Sequence, residues 1–303
     1  MGTPENRPIR LGTRGSLLAV RQSRQIADQL MGAHSGLRVE LVTIQTTGDR
    51  ITDRPLHELG GKGLFTKELQ LALLSGEIDF AVHSMKDVPV TMPLVDDAPL
   101  RIAAIARRAD PRDALIVRPD ASARDLGAFS RIGTTSLRRR AQVLAIHPDA
   151  RIESLRGNID TRLRKLREGE FDAILLATAG LLRAGLWDDR TMRALPVEQF
   201  TPAPAQGALG LECRRNDART VTLLQALDHA ETRHCVMLER EIIRLLNGDC
   251  HSPIGAYAAI ETDAITLHLA VGESGGGLPV RRAMVRGAID DNTLPARAVA
   301  SLA

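Results

Sequence analysis

Ile78-Asp79-Phe80-Ala81-Val82-His83-Ser84-Met85-Lys86-Asp87-Val88-Pro89 is a short apolar run that ends abruptly in polar and ionisable residues. A buried strand of an open α/β sheet reads this way, and in such sheets ligands bind just beyond the carboxyl ends of the strands. Lys86 and Asp87 fall at that end. A Lys-Asp pair alone is more often a solvated loop than a site, because charged side chains are mostly exposed. What decides between loop and site lies elsewhere in the chain.

Outward from this strand, two stretches look like copies. Arg10-Leu11-Gly12-Thr13-Arg14-Gly15-Ser16 and Arg131-Ile132-Gly133-Thr134-Thr135-Ser136-Leu137 each read as strand, glycine-containing turn, hydroxyl N-cap and helix. Downstream of them, Gly76-Glu77-Ile78-Asp79-Phe80-Ala81-Val82 is matched by Gly169-Glu170-Phe171-Asp172-Ala173-Ile174-Leu175, a helix end running into a buried strand. The intervals differ, so the likeness is one of architecture. Two related α/β domains are expected.

Further strands are expected at 37–46 and 102–106, with Phe65, Leu69, Ala72 and Leu73 on one helical face between them. Two crossings follow, a linker at 107–113 and the proline-rich Thr201-Pro202-Ala203-Pro204-Ala205-Gln206-Gly207. A strand at 208–212 then returns to the first domain, leaving the second as an insertion. Beyond it, Cys235, Leu238, Ile242 and Leu245 recur at helical spacing up to Asn247-Gly248, a helix stop. Alternating strands near 257–260, 265–271 and 280–286, with Gly275-Gly276-Gly277 as a turn, predict a small antiparallel α+β domain.

Composition bounds the chemistry. The 303 residues are 44% apolar, which fills two or three cores and suits a globular protein. No apolar run approaches the ~20 residues that span a bilayer, and the first ten residues are polar, which points to the cytoplasm. Cys213, Cys235 and Cys250 are odd in number and lack metal-ligand spacing, so neither a disulfide framework nor a metal site is expected. Cys235 reads as core, Cys213 as structural beside a strand, and Cys250, in a tight loop after a helix, equally as a structural or a presented thiol.

Net charge is only +3, yet of 40 basic residues four are lysine (Lys62, Lys67, Lys86 and Lys165), so 36 are arginine. Codon composition accounts for the total; placement tells more, because guanidinium clusters suit carboxylate or phosphate ligands. Aromatic residues at 2% leave few rings for stacking bases, against a nucleic-acid platform. Gly60-Gly61-Lys62-Gly63 lacks the spacing of a P-loop.

In chain order, Thr13-Arg14-Gly15-Ser16, Thr47-Gly48-Asp49, Gly60-Gly61-Lys62-Gly63-Leu64-Phe65, 81–89, Gly133-Thr134-Thr135-Ser136-Leu137-Arg138-Arg139, Ser154-Leu155-Arg156-Gly157-Asn158 and Cys250-His251-Ser252-Pro253-Ile254-Gly255 resemble the porphobilinogen deaminase (hydroxymethylbilane synthase) family. The resemblance implies two periplasmic-binding-protein-like α/β domains with a cleft between them, plus a small C-terminal α+β domain. The implied boundaries are 1–106 with 207–228 for domain 1, 107–206 for the inserted domain 2, and 229–303 for domain 3, which carries the cofactor cysteine.

It also implies a transferase of porphyrin and heme biosynthesis. Four porphobilinogen molecules are condensed head to tail, with loss of ammonia, on a covalent dipyrromethane primer, and hydrolysis releases hydroxymethylbilane. By resemblance Cys250 forms the thioether to the dipyrromethane and Asp87 is the catalytic carboxylate, whose oxygens suit a departing amine and a pyrrole cation. Lys86, Ser84, Arg138, Arg139, Ser136, Thr134 and Arg162 bind the cofactor. Arg14, Ser16, Arg156, Arg183, Lys62 and Phe65 bind substrate, and Asp49 is a loop residue nearby.

Arg140 is left out, since three consecutive helical residues cannot face one way. Ser16, Thr134 and Ser136 serve equally as caps. The family also implies a cytoplasmic monomer whose partners are porphobilinogen and the growing polypyrrole, with no nucleic acid, membrane, metal or obligate protein partner. Three residues depart from its pattern. Asp249 precedes Cys250 where a small residue is usual and raises the thiol pKa, Ser252 replaces a β-branched residue, and Ala205 replaces a common glycine and stiffens the crossing. The rival reading is a non-catalytic two-domain binder of small carboxylates, which needs neither Cys250 nor Asp87.

Overall fold

The computed structural model describes residues 7–45, 66–90, 99–121, 123, 125–249 and 251–302. The chain runs β1 (Ile9–Thr13), α1 (Leu17–Ala33), β2 (Val39–Thr43), α2 (Lys67–Leu74), β3 (Phe80–Ser84), β4 (Leu100–Ile105), β5 (Asp113–Val117), β6 (Arg131–Gly133), α3 (Leu137–Ile146), β7 (Arg151–Glu153), α4 (Ile159–Arg167), β8 (Ala173–Ala177), α5 (Thr178–Arg183) and β9 (Met192–Ala194). It continues as β10 (Leu209–Arg214), α6 (Ala218–Gln225), α7 (Ala230–Leu245), β11 (Ile254–Glu261), β12 (Ala264–Glu273), β13 (Gly277–Ala288) and α8 (Leu294–Ala300). Two compact units result, Met1–Arg108 with Ala208–Arg233, and Ala109–Gly207 with His234–Ala303.

Each unit holds a five-stranded sheet, ordered β2-β1-β3-β10-β4 in the first and β7-β6-β8-β5-β9 in the second. The topologies are the same: three parallel strands, then an antiparallel one taken out of chain order. In both cases that strand is the segment following a crossing, β10 after residues 201–207 and β5 after 106–112. These are the sheets of the two related α/β domains expected from the sequence.

Strand alternation puts successive side chains on opposite faces, so each sheet is covered on both. In the second unit, Leu115, Val117, Ala173 and Leu175 pack with Val143 of α3 and Phe200, while Ala114, Ile116, Ile174 and Leu176 pack with Leu166, Phe171 and Leu181. In the first, Phe80, Leu209 and Leu211 meet Ile26 and Leu30 of α1, and Ala81 on the other face meets Leu69 and Leu73 of α2. Burying each large apolar side chain is worth about 1.5–3 kcal/mol.

The resemblance between the two halves extends to their polar clamps. Arg10 donates its backbone N–H to Asp79 Oδ2 (2.8 Å) and its Nη2 to Asp79 Oδ1 (3.1 Å) and Gly76 O (2.6 Å). Arg131 makes the same set to Asp172 Oδ2 (2.9 Å), Asp172 Oδ1 (3.3 Å) and Gly169 O (3.1 Å). The helix end before the central strand is thereby tied to the first strand. Gly12 and Gly133 permit the close approach: a Cβ there would lie 2.3 Å from Ile78 Cδ1 and 2.9 Å from Phe171 Cδ1 respectively.

The second unit also contains the three-stranded antiparallel sheet β11-β12-β13, against which α3 and α8 pack. Glu239 of α7, fully buried, accepts from the backbone N–H of Ala205 (2.5 Å) and of Ala258 (2.9 Å), joining the crossing to β11. Ala205 is held there at φ 62°, in the left-handed region. An alanine at this position therefore carries strain as well as the stiffness expected from the sequence. An L-residue in that conformation costs roughly 1–2 kcal/mol, and glycine returns about 0.4–1 kcal/mol through the entropy of the unfolded chain. Ala205→Gly is expected to raise stability by about 0.5–1 kcal/mol in chemical denaturation. A lowered midpoint would show that the Glu239 contact holds Ala205 without strain.

Candidate active site

The quoted strand ends as its sequence suggests. Phe80–Ser84 passes into a single 3₁₀ turn, Met85–Asp87, closed by Val88 N–H donating to Met85 O (3.2 Å). Neighbouring β10 anchors this end. Met85 N–H donates to Ala208 O (3.0 Å), and the Met85 side chain fills the space over Gly210, where a Cβ would lie 2.3 Å from its sulfur. His83 Nε2 lies 2.8 Å from Glu212 Oε2, and Gln70 Nε2 donates to Glu212 Oε1 (2.7 Å), all three buried.

From that fixed turn Lys86 projects half-buried and Asp87 exposed. The Asp87 carboxylate has no partner among the described residues, so its oxygens are available to a ligand. Ser84 is half-buried and accepts from Gln22 Nε2 at 3.4 Å. In the same unit Arg14 is half-buried, and Ser16 caps α1 by accepting from Ala19 N–H (3.3 Å).

In the second unit the arginines divide sharply. Arg140 is exposed, whereas Arg138 and Arg139 are 4% and 7% exposed and converge on Asp113, which is fully buried. Arg138 Nη1 donates to Asp113 Oδ2 (2.6 Å) and to Thr201 O (2.8 Å). Arg139 donates to Asp113 Oδ1 through Nε (2.9 Å) and Nη2 (2.7 Å), and to Leu175 O through Nη1 (3.0 Å). Burial alone would raise the Asp113 carboxyl; the two guanidiniums more than offset it and hold Asp113 well below the usual carboxylate range. Two buried cations share one anion.

Thr134 and Ser136 shape the turn into α3. Thr134 Oγ1 accepts from Ser136 N–H (3.2 Å), and Ser136 caps the helix by accepting from Arg139 N–H (3.4 Å). Arg162 Nε donates to Gly157 O (2.7 Å) and Arg156 Nε to Ser154 Oγ (3.4 Å) around the start of α4. Arg183, the last residue of α5, donates Nη2 to Gly207 O (2.8 Å), while its Nε is buried with no hydrogen-bond partner among the described residues. Burial pushes its guanidinium down to about 10. An acceptor brought by a ligand would complete it.

Lys62, Phe65, Asp49 and Cys250 lie outside the described residues. The residues flanking Cys250 do not. Asp249 Oδ1 accepts from His251 N–H (2.9 Å) and Ser252 Oγ (2.9 Å), so two residues singled out in the sequence bond to each other. Burial would raise the Asp249 carboxyl, and these bonds more than offset it and hold it below the ordinary range.

Sequence reading missed Asp113, which stood in a stretch read as a linker, and with it Gln206, Gln142 and Thr201. Gln206 Nε2 donates to Asp113 Oδ1 (3.1 Å) and Pro111 O (2.8 Å), and Gln142 Nε2 to Thr201 O (2.9 Å). No local pattern announces partners 25 to 93 residues apart. Among the described residues no helix is long and apolar enough to cross a membrane, and no group of three or more His, Cys, Asp or Glu residues is arranged to hold a metal ion.

Comparison with known proteins shows what the chain as a whole is similar to. A family model described as porphobilinogen deaminase, dipyromethane cofactor binding domain, matches residues 9–222, and another, porphobilinogen deaminase, C-terminal domain, matches residues 233–301. A porphobilinogen deaminase of Stenotrophomonas maltophilia (strain K279a) is 47% identical over 289 residues, covering 95% of this chain and 94% of the relative. One from Xanthomonas axonopodis pv. citri (strain 306) is 47% identical over 292 residues, covering 96% and 94%. Among solved structures, the periplasmic VFT2 domain of Bordetella pertussis BvgS is 14% identical over 74% of this chain and 87% of that one. Its TM-score is 0.39, too distant to bear on activity.

Proposed function

The chain belongs to the porphobilinogen deaminase family, and from that membership we propose an assignment of its residues to the steps of hydroxymethylbilane synthesis. The enzyme is a transferase with a dipyrromethane cofactor. In each round the C–N bond of a porphobilinogen aminomethyl group breaks and ammonia leaves. The freed carbon joins the α-carbon of the last pyrrole, which gives up its proton. After four rounds water releases hydroxymethylbilane.

The donor set fits the cofactor. Dipyrromethane side chains are carboxylates, and Arg138 with Arg139 retains one net positive charge after pairing with Asp113. That is the single observation carrying the reading. When bound, the cofactor supplies the terminal pyrrole carbon at which the chain grows. Arg138, Arg139, Lys86, Ser84, Thr134, Ser136 and Arg162 hold its polar groups, and Cys250 is the thioether residue. Arg14, Ser16, Arg156, Arg183, Lys62 and Phe65 bind the incoming substrate and the lengthening anionic chain. The unpartnered Arg183 Nε supports its place in that set.

Asp87 does the proton and charge work. Its ionised carboxylate accepts pyrrole N–H groups, stabilises the cation left on porphobilinogen when ammonia departs, and takes the α-proton. A fixed turn with a free carboxylate suits those roles, because a preorganised acceptor need not reorient as charge develops. The boundaries 1–106 with 207–228, 107–206 and 229–303, a cytoplasmic location and a monomeric state with no protein, nucleic-acid or membrane partner complete the proposal. Intact mass after denaturation tests it. The chain is expected to exceed its sequence mass by two pyrrole units and to turn porphobilinogen into hydroxymethylbilane; an unmodified, fully active chain would overturn the assignment.

A further inference from the structure

Adjacent residues on a helix point about 100° apart, so Arg138 and Arg139 have no intrinsic reason to present their guanidiniums together. Asp113 brings them together. One oxygen takes Arg138 and the other takes Arg139 twice, while the Thr201 and Leu175 carbonyls give each fork a second point of attachment. Asp113 is itself held by Gln206, which bonds Pro111 two residues before it. Neither arginine has another acidic partner among the described residues.

We propose that Asp113 is the positioning residue for cofactor loading: it fixes the directions in which Arg138 and Arg139 offer their remaining N–H groups to the carboxylates of the dipyrromethane. This rests on the assignment of those two arginines to the cofactor. The role is separable from charge. Removing the Asp113 charge makes the cluster more positive, and attraction alone would then load an anionic cofactor better. Loss of orientation loads it worse, since each guanidinium fork recognises a carboxylate only in a set geometry and the two cations repel once nothing lies between them.

The test compares the parent with Asp113→Asn, Asp113→Glu, Arg138→Gln and Arg139→Gln, each as the full chain. Melting midpoint and the fraction of folded molecules carrying the two-pyrrole adduct by intact mass are measured. Asp113→Asn is expected to carry the adduct in roughly tenfold fewer molecules, in keeping with the large effects of small misplacements. Asp113→Glu, which keeps the charge but moves it by one methylene, is expected to recover part of it.

Adduct at or above the parent level in folded Asp113→Asn, with loss in the arginine variants, would overturn the positioning role and leave the arginine assignment standing. Parent-level adduct in both arginine variants would instead remove that assignment, and the positioning role with it. If Asp113→Asn does not fold, Asp113→Glu decides: reduced adduct at the parent's melting midpoint supports the role, and parent-level adduct overturns it. Failure of both to fold would make Asp113 a stability residue and overturn the proposal.

Discussion

Asp87→Asn is expected to fold with the parent's melting midpoint, keep its two-pyrrole adduct, and lose turnover of porphobilinogen by about 10²–10⁴-fold, the range that positioned acid-base groups contribute. The stability half follows from the surroundings. Asp87 is exposed, its carboxylate has no described partner, and the turn beneath it is held by Met85, His83 and Glu212. Asparagine preserves size and one acceptor oxygen but neither the charge nor the basicity. Binding through pyrrole N–H groups should fall less than kcat, because only the charge developing as ammonia leaves needs an anion. Steady-state kinetics on adduct-bearing protein separates the two. Turnover near the parent's would remove Asp87 from its role.

Much of this was legible in the sequence because the fold repeats itself. The glycine-acid-strand segments 76–82 and 169–175, which carry Asp79 and Asp172, and the arginine-led strands at Arg10 and Arg131, were recognisable as pairs from residue order. In three dimensions the arginine of each pair clamps the aspartate. Continuous apolar runs located β3, β8 and β10, since strands covered on both faces have no polar side to break the run. The same principle hides Asp113. It begins such a strand, yet follows a proline-containing crossing, and its meaning depends on arginines more than twenty residues later. Periodicity reports which face is buried; it carries no information about which buried charges meet. Ala205 shows a second kind of silence: its identity suggested stiffness, while the φ of 62° and the bond of its N–H to Glu239 are visible only in the fold.

The largest loss is expected at Cys250. Cys250→Ser should leave a denatured chain at its sequence mass and reduce turnover to background, because serine keeps the size of the side chain but cannot supply the sulfur of a thioether. The other two thiols are poorly placed to take over. Cys213 on β10 is fully buried, and burial, with Asp217 adding to it, pushes its thiol up to about 11, away from the reactive thiolate. Cys235 on α7 is 7% exposed. Cys235→Ala is therefore expected to retain the adduct. Beside Cys250 the ionised Asp249 is directed into its bonds with His251 N–H and Ser252 Oγ. Asp249→Asn is expected to move adduct formation to lower pH, since removing a nearby negative charge lowers a thiol's pKa. Two pyrrole units still attached to denatured Cys250→Ser would place the tether elsewhere and remove Cys250 from the mechanism.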